Sequence, residues 1–291
     1  MIDYEALMAR EFPVVEHHYS EKDTILYALG LGLGTDPLSP SHLRATYERA
    51  EGFGALPAMV NVLAYPGFWA MEPDTGLEWQ KILHGEQSLT LHAPLPARGT
   101  LVGKVRITGI VDKGAEKGAL IYSERDMHDK ATGKRIATVA STTFARGDGG
   151  FGGSDDAVRP VHTMPEGDPD TAFEFKTPVG AALIYRLSGD MNPLHADPEV
   201  ARGAGFERPI LHGLCSLGVA SWSITEALAG GDFTALTHLQ LRFSAPVYPG
   251  ETIRTEMWRD GADISFRARV LERDVVVLNN GLAHLRGPRF D

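Results

Sequence analysis

Apolar and polar residues alternate along much of the chain, which is the pattern of half-buried β-strands. Between positions 101 and 111, aliphatic side chains alternate with cationic and hydroxyl side chains. Similar alternation predicts further strands over residues 89–91, 119–126, 134–144, 238–243, 252–258, 263–271 and 275–285. The dipeptide Asp260-Gly261 separates two of these segments and is typical of a hairpin turn. The pattern therefore predicts a sheet that is mainly antiparallel.

Other segments space their apolar residues as helices do, or form continuous apolar runs. They predict helices over residues 25–34, 57–64, 178–187 and 210–229, and a loop with one helical turn over residues 41–50. Gly30, Gly32 and Gly34 in the first helix form part of a dinucleotide-binding pattern. We reject a phosphate-binding turn there, because the third glycine of that pattern is absent from its position and no strand is predicted before it.

The order of these elements occurs twice along the chain. The sequence YALG from Tyr27 corresponds to YRLS from Tyr185, and LHAPL at 91–95 corresponds to FSAPV at 243–247. This self-similarity indicates an internal duplication. We predict an α+β fold in which two repeats each pack a long helix on an antiparallel sheet. Residues 1–150 form the first repeat, residues 151–170 a linker rich in Gly and Asp, and residues 171–291 the second repeat.

Composition excludes several classes of protein. The formal charge of −10 disfavours a nucleic-acid-binding protein, and no apolar run reaches the length of a transmembrane helix. Cys215 is the single cysteine and lies in an apolar run, which favours a core residue in a reducing compartment over a nucleophile. Residues 1–11 do not resemble a signal peptide, and the terminal GPRFD differs from a peroxisomal SKL signal. A cytoplasmic location is therefore expected.

A polar loop between apolar segments carries the candidate chemistry. Asp190, Asn192 and His195 fall within six residues, and Pro193 keeps this stretch from forming an ordinary helix. A carboxylate, a carboxamide and an imidazole could thus surround one small polar molecule. Gly-Asp and Asn-Pro are also common turn formers, so the residues alone leave both an active site and a plain turn open. No HExxH or GxSxG motif is present, and we expect neither a metal ion nor a serine nucleophile.

The sequence GDMNPLH at 189–195, followed by RPILHGLCSLG at 208–218, resembles the signature of the R-specific enoyl-CoA hydratase family. This family is also called hydratase 2 or MaoC-like, and it includes the hydratase part of peroxisomal multifunctional enzyme type 2. The resemblance covers nearly the whole chain and implies a double hot-dog fold. It implies reversible syn hydration of trans-2-enoyl-CoA to (3R)-3-hydroxyacyl-CoA by a homodimer, with an acyl-CoA substrate and no cofactor.

The resemblance also implies a role for particular residues. The catalytic positions would be Asp190, Asn192, His195 and Gly213. The substrate contacts would be His84, Gly85, Lys113, Met191, Pro193, Leu194 and Phe243. Gly213 begins a predicted helix, where backbone N–H groups favour a developing negative charge, although close helix packing would also explain a glycine. Lys113 is suited to coenzyme A phosphates, but an ordinary turn lysine remains an alternative.

The duplication predicts one site per chain. Counting from the paired tyrosines, Asp190 corresponds to Gly32 and His195 to Pro37, so the first repeat lacks acid–base groups at these positions. The aromatic, glycine-rich loop over residues 65–79 could hold an acyl chain or cover a core. A hot-dog thioesterase and a non-catalytic acyl-CoA-binding module are the competing functional hypotheses.

Overall fold

The computed structural model describes residues 2–153 and 158–287, and within them ten strands form one antiparallel sheet. The strands are β1 (Val15–Tyr19), β2 (Ile82–Leu91), β3 (Gly99–Asp112), β4 (Ala119–Asp129), β5 (Arg135–Ala145), β6 (Thr171–Lys176), β7 (Leu236–Phe243), β8 (Thr252–Asp260), β9 (Asp263–Val270) and β10 (Val275–Leu285). Residues 154–157 of the expected linker and 288–291 of the GPRFD terminus lie outside the described residues.

The order of the strands shows an internal symmetry. Across the sheet it is β1-β3-β4-β5-β2-β7-β10-β9-β8-β6, so β1 to β5 and β6 to β10 follow the same topology. The two halves meet where β2 pairs with β7, from Glu86 opposite Arg242 to Thr90 opposite His238. The duplication that the sequence predicts is therefore visible in the topology, and β2 and β7 join the halves into one continuous sheet.

Six α-helices accompany the sheet in the described residues. They are α1 (Tyr4–Met8), α2 (Glu21–Leu31), α3 (Pro40–Thr46), α4 (Ala181–Tyr185), α5 (Pro198–Gly203) and α6 (Gly213–Leu228). The longest, α6, is buried along almost its whole length and packs against β6, β7 and β8. No helix in the described ranges has the length and apolar composition needed to cross a bilayer.

Among the residues that the structure describes, the long helix forms in the second repeat only. In the first repeat, the predicted helix over 57–64 is wrong: residues Pro57–Asn61 form a short 3-10 helix. The buried guanidinium of Arg125 donates to the carbonyl oxygens of Val60 and Asn61, at 3.0 and 2.8 Å. These are acceptors that a continuing helix would use itself, and Ala64 then turns the chain away with a φ of 49°.

The predicted helix over 25–34 is shifted in the structure. Helix α2 begins at Glu21 after a capping box formed by Ser20 and Asp23, and it ends at Gly32 in the left-handed region with φ 102°. Strand β1 does precede this helix, contrary to expectation. The glycines nevertheless lie at the carboxyl end of α2, where the helix dipole disfavours phosphate. A dinucleotide site is therefore still rejected, on the position of the glycines and not on the absence of a preceding strand.

The two outermost strands, β1 and β6, were not predicted. Each has only five or six residues and pairs with one neighbour, β1 with β3 and β6 with β8. Strands this short contain too few residues to show a clear alternation. Strand β2 extends over Ile82–Leu91, well beyond the predicted range 89–91. The other strands lie close to the predicted ranges, including the Asp260-Gly261 hairpin between β8 and β9.

The elements around the polar loop are shorter than predicted. The expected helix over 178–187 consists of α4 followed by a 3-10 turn, Arg186–Ser188. The expected helix over 210–229 begins only at Gly213, and residues 210–212 lie outside it. The N–H of Leu211 donates to the carbonyl oxygen of Val247 at 2.7 Å, and the carbonyl oxygen of Ile210, which a longer helix would use, is bonded to His195. This non-helical segment faces the polar loop.

Candidate active site

The polar loop begins at a turn that only glycine adopts without strain. Gly189 has a φ of 128°, and the loop then leads into Asp190. The Asp190 Oδ1 accepts a hydrogen bond from the N–H of Asn192 at 3.2 Å. The Asn192 Oδ1 in turn accepts from the N–H of Leu194 at 3.0 Å and caps a 3-10 turn, Pro193–His195. Local hydrogen bonds thus shape the loop from Asp190 to His195.

His195 lies at the end of this turn and is 8% exposed. Its Nδ1 is 2.9 Å from the carbonyl oxygen of Ile210, which can only accept, so Nδ1 carries the proton. The lone pair of Nε2 is therefore available as a base. Burial lowers the pKa of His195 below 6.5, although the Ile210 hydrogen bond and the charge of Asp190 oppose this shift. The ring is neutral at neutral pH.

A second histidine in the site, His212, was not predicted from the sequence. It is 1% exposed, and its Nε2 donates to the carbonyl oxygen of Asp190 at 3.1 Å. Its ring stacks on the ring of His195, with 3.7 Å between centroids and 28° between planes. Burial, reinforced by the proximity of His195, lowers the pKa of His212 to about 4. Its position directly before Gly213 in RPILHG was the available signal.

Asp190, His195 and His212 form a compact cluster. One carboxylate oxygen of Asp190 and one ring nitrogen of each histidine lie within 4.8 Å of one another. The two rings are neutral at neutral pH, and Asp190 lies close enough for its charge to favour protonation of both. This arrangement places a carboxylate close to an imidazole ring that has an available nitrogen. It is suited to acid–base chemistry.

Gly213 lies beside this cluster as the first residue of α6. The N–H groups of Cys215 and Ser216 bond to the carbonyl oxygen of His212, whereas the first N–H groups of a helix have no intrahelical partner. A Cβ at Gly213 would lie 3.0 Å from Cε1 of Phe243. The ring of Phe243 contacts the ring of His84, with 4.6 Å between centroids. These three residues form one continuous wall of the site.

His84 and Gly85 lie at a β-bulge in β2. The register with β5 shifts between His84 and Glu86, and such a bulge redirects the side chain beside it. The His84 Nε2 is 2.8 Å from Oε1 of Gln87, whose amide nitrogen donates to Oδ1 of Asn61 at 2.7 Å. This chain assigns the proton of His84 to Nε2. Desolvation by surrounding protein atoms lowers the pKa of His84, although solvent still reaches part of its surface.

The remaining predicted substrate contacts lie around the cluster or apart from it. Met191 is exposed and Leu194 is partly buried in the same loop. Lys113 lies beyond the end of β3, with its Nζ 5.8 Å from the ring centroid of Phe144. Phe144 pairs with Leu83, next to His84. The structure therefore brings the loop residues, Gly213, Phe243 and His84 together. Lys113 lies apart from them, after the end of β3 and near Phe144 of β5.

The corresponding positions of the first repeat offer no second cluster. A Cβ at Gly32 would lie 2.5 Å from Cδ of Pro178 and 3.2 Å from Cε1 of Phe175. A carboxylate at this position would collide with both side chains. Packing between the repeats thus fills the place that the catalytic loop occupies in the second repeat.

The aromatic loop over residues 65–79 packs in two different environments. Trp69 is buried and packs edge-on against Phe12 in a separate core cluster. Tyr65, in contrast, lies near the active cluster: desolvation raises its pKa, and the nearby charge of Asp190 adds a smaller contribution. Phe68 and Trp79 are partly exposed and contact each other edge to face. One part of the loop covers a core, and the other part borders the site.

We predict that His212 makes protein stability depend on pH. Its folded pKa of about 4 lies below the unfolded value of 6.5, so the unfolded chain binds more protons between these values. The free energy of unfolding should fall by about 2 kcal/mol between pH 7.5 and pH 5 through this residue. Urea unfolding at both pH values measures the change. In His212→Gln the loss of unfolding free energy between pH 7.5 and pH 5 should be smaller by that amount. The same loss in the variant as in the wild type would contradict the prediction.

Comparison with known protein families identifies both halves of the chain. Residues 17–147 match the MFE-2 hydratase 2 N-terminal domain, and residues 160–280 match the MaoC like domain. A relative from Arabidopsis thaliana, named peroxisomal enoyl-CoA hydratase 2, is 36% identical over 302 residues. The alignment covers 97% of this chain and 94% of the relative.

Solved structures agree with this family assignment. A MaoC-like dehydratase from Phytophthora capsici is similar with a TM-score of 0.86 and 36% identity, over 98% of this chain and 99% of that chain. A Mycobacterium tuberculosis protein described as a double hotdog fold matches with a TM-score of 0.55 and 17% identity, over 98% of both chains. The predicted double hot-dog fold is confirmed. The chain therefore belongs to the hydratase 2 family of MaoC-like proteins.

Proposed function

We propose that this protein catalyses the reversible syn hydration of trans-2-enoyl-CoA to (3R)-3-hydroxyacyl-CoA. One observation carries the proposal: a carboxylate oxygen of Asp190 lies within 4.8 Å of ring nitrogens of His195 and His212, directly before the amino end of α6 at Gly213, while the bond from Nδ1 of His195 to Ile210 leaves its Nε2 available as a base. Hydration of an α,β-unsaturated thioester needs a base for water, a proton for Cα and stabilisation of an enolate oxygen. The site has a candidate group for each requirement.

Asp190 and His195 hold the attacking water. Both present acceptors, so one water can donate a hydrogen bond to the carboxylate and another to Nε2, which leaves its lone pair directed at Cβ. One hydrogen bond from the N–H of Leu194 fixes the Oδ1 side of Asn192. The amide N–H groups of Asn192 can donate to the water oxygen and orient it.

The proton is returned from the same cluster. As the water oxygen bonds to Cβ, the π electrons of the double bond move onto the thioester oxygen, and the water proton passes to the cluster. When the enolate collapses, that proton is delivered to Cα. Because hydroxyl and proton come from one cluster, they add to the same face. The N–H of Gly213 and the dipole of α6 stabilise the enolate oxygen.

The other predicted residues bind the substrate. His84, Gly85 and Phe243 form the wall beside Gly213, and the loop residues Met191, Pro193 and Leu194 border the opposite side of the thioester. Lys113 meets the phosphates of coenzyme A. In this scheme residues 171–291 carry the chemistry, residues 1–150 hold the acyl chain through the loop over 65–79, and residues 151–170 link the repeats. The scheme uses no metal ion or cofactor.

The main test is turnover of a trans-2-enoyl-CoA, followed by loss of the enoyl-thioester absorbance. Asp190→Asn and His195→Gln should each lower kcat by about 100-fold or more, because each removes an acid–base group. Asp197→Asn is the matched control, since Asn also caps a helix such as α5 and activity should persist. Full activity in either catalytic variant would show that the replaced residue has no acid–base role and would overturn the proposal. Release of free thiol in place of hydration would also overturn it, in favour of a thioesterase.

Gly213 allows a second test of the proposed mechanism. In Gly213→Ala the new methyl would meet Phe243 at 3.0 Å and crowd the approach of the thioester to the backbone N–H. We expect kcat to fall at least about tenfold. Gly203→Ala is the control, because a Cβ there meets nothing within 4 Å. Unchanged kcat in Gly213→Ala would argue against an oxyanion role for this position.

We also propose that the protein is a cytoplasmic homodimer. Leu183 and Leu187, which belong to α4 and the turn after it, are 57% and 56% exposed, and Leu29 of the adjacent α2 is also exposed. A dimer would cover such an apolar surface. Light scattering should give twice the chain mass of 31.6 kDa, and Leu187→Glu should shift it to one chain. A monomeric wild type would refute the dimer, and cell fractionation tests the location.

A further inference from the structure

We infer that His212 is a positioning residue, which holds the main chain of Asp190 by one hydrogen bond and seats His195 by ring stacking. The inference rests on the proposed hydratase function, because it assigns His212 a task in the same site. His212 was not among the residues that the sequence motif marked as catalytic or substrate-binding. Its contacts in the structure give the reasons.

The first reason is what the side chain of His212 does with its donor. As the N-cap residue of α6, His212 could have capped the helix, but it forms no side-chain cap bond. Its Nε2 donates instead to the carbonyl oxygen of Asp190, 22 residues earlier in the chain. Its Nδ1 has no hydrogen-bond partner in the described part of the protein. The bond to Asp190 is therefore the polar anchor of this ring.

The second reason is the segment to which His212 belongs. Residues 210–212 lie outside α6 and are tied to the chain near β8 by the bond from Leu211 N–H to the oxygen of Val247. The carbonyl oxygen of Ile210 holds Nδ1 of His195, while the ring of His212 covers one face of the same imidazole. One short segment thus fixes both the edge and the face of the base.

The third reason is the connection to α6. The carbonyl oxygen of His212 accepts from the N–H groups of Cys215 and Ser216 and so begins the helix at Gly213. The main chain of His212 sets the helix end, and its side chain sets Asp190. The distance between the proposed oxyanion donor and the acid–base pair is therefore governed by one residue.

The chemistry of the ring is consistent with positioning. Burial lowers the pKa of His212 to about 4, so the ring stays neutral at neutral pH. A neutral ring donates through Nε2 without repelling the imidazolium that forms when His195 takes a proton. His212 therefore does not compete with His195 as the base.

The experiment compares His212→Gln with His212→Met. The two side chains have the same length and similar volume, but only Gln retains an N–H donor for the Asp190 carbonyl. In His212→Met we expect kcat to fall about 10- to 100-fold, because the loop loses its anchor, while KM changes by less than about twofold. His212→Gln should recover most of kcat. His212→Phe, which keeps a stacking ring without the donor, should resemble His212→Met.

The controls separate positioning from packing. His42→Gln removes a buried histidine that accepts from the N–H of Gly34 in the first repeat, and it should keep the wild-type kcat. Thermal unfolding shows whether each variant is folded. Equal kcat in the folded Gln and Met variants, whether high or low, would mean that only the volume of His212 matters and would overturn the inference.

A measurement on the wild-type protein covers the case in which the variants do not fold. Nitrogen NMR of the histidine side chains at pH 7 should show His212 protonated at Nε2 and unprotonated at Nδ1. The opposite tautomer would overturn the inference. If wild-type protein does not hydrate enoyl-CoA, the proposed function fails, whereas the tautomer measurement still decides whether His212 holds Asp190.

Discussion

The hydrogen bond between Nδ1 of His195 and the carbonyl oxygen of Ile210 is the contact on which the site depends. It selects the tautomer, and it therefore decides that Nε2 faces the reaction as a base. The bond is possible because residues 210–212 lie outside α6, which leaves the Ile210 carbonyl oxygen free to accept. The N–H of Leu211 in the same segment bonds to the oxygen of Val247. A backbone contact with a residue outside the motif thus supports the chemistry of the motif.

Burial sets the electrostatics around that contact. His84, His195 and His212 all have a lowered pKa, and desolvation is the largest cause for each. A neutral imidazole is far less costly to bury than a charged one, so the site can bury the rings of His195 and His212 near a single carboxylate, with the more exposed ring of His84 beside them. Asp190 opposes the shift at each ring. Hydration near neutral pH requires a neutral base beside a charge that stabilises its protonated form, and this balance provides it.

Duplication produced the sheet, and divergence between the repeats produced a single site. The pairing of β2 with β7 makes one surface from two halves with the same topology. In the described residues, only the second half has a long helix, whose amino end is the proposed oxyanion donor. In the first half Arg125 ends a short 3-10 helix, and Gly32 packs against Pro178 where Asp190 has its counterpart. That packing leaves no room for a second carboxylate.

The sequence by itself determined the strand pattern, the duplication and the loop with Asp190, Asn192 and His195, because alternation, repeats and motif spacing are local properties. It indicated Gly213 but passed over His212 beside it, because only the fold shows that this ring is buried, stacks on His195 and bonds to Asp190. The tertiary structure decided the start of α6, the 3-10 helix at Pro57–Asn61 and the two edge strands. Each of these depends on a partner distant in sequence: Val247, Arg125, or a neighbouring strand. Hydrogen bonds between such partners also determine the tautomers of the histidines in the site. A local residue pattern does not encode these tautomers.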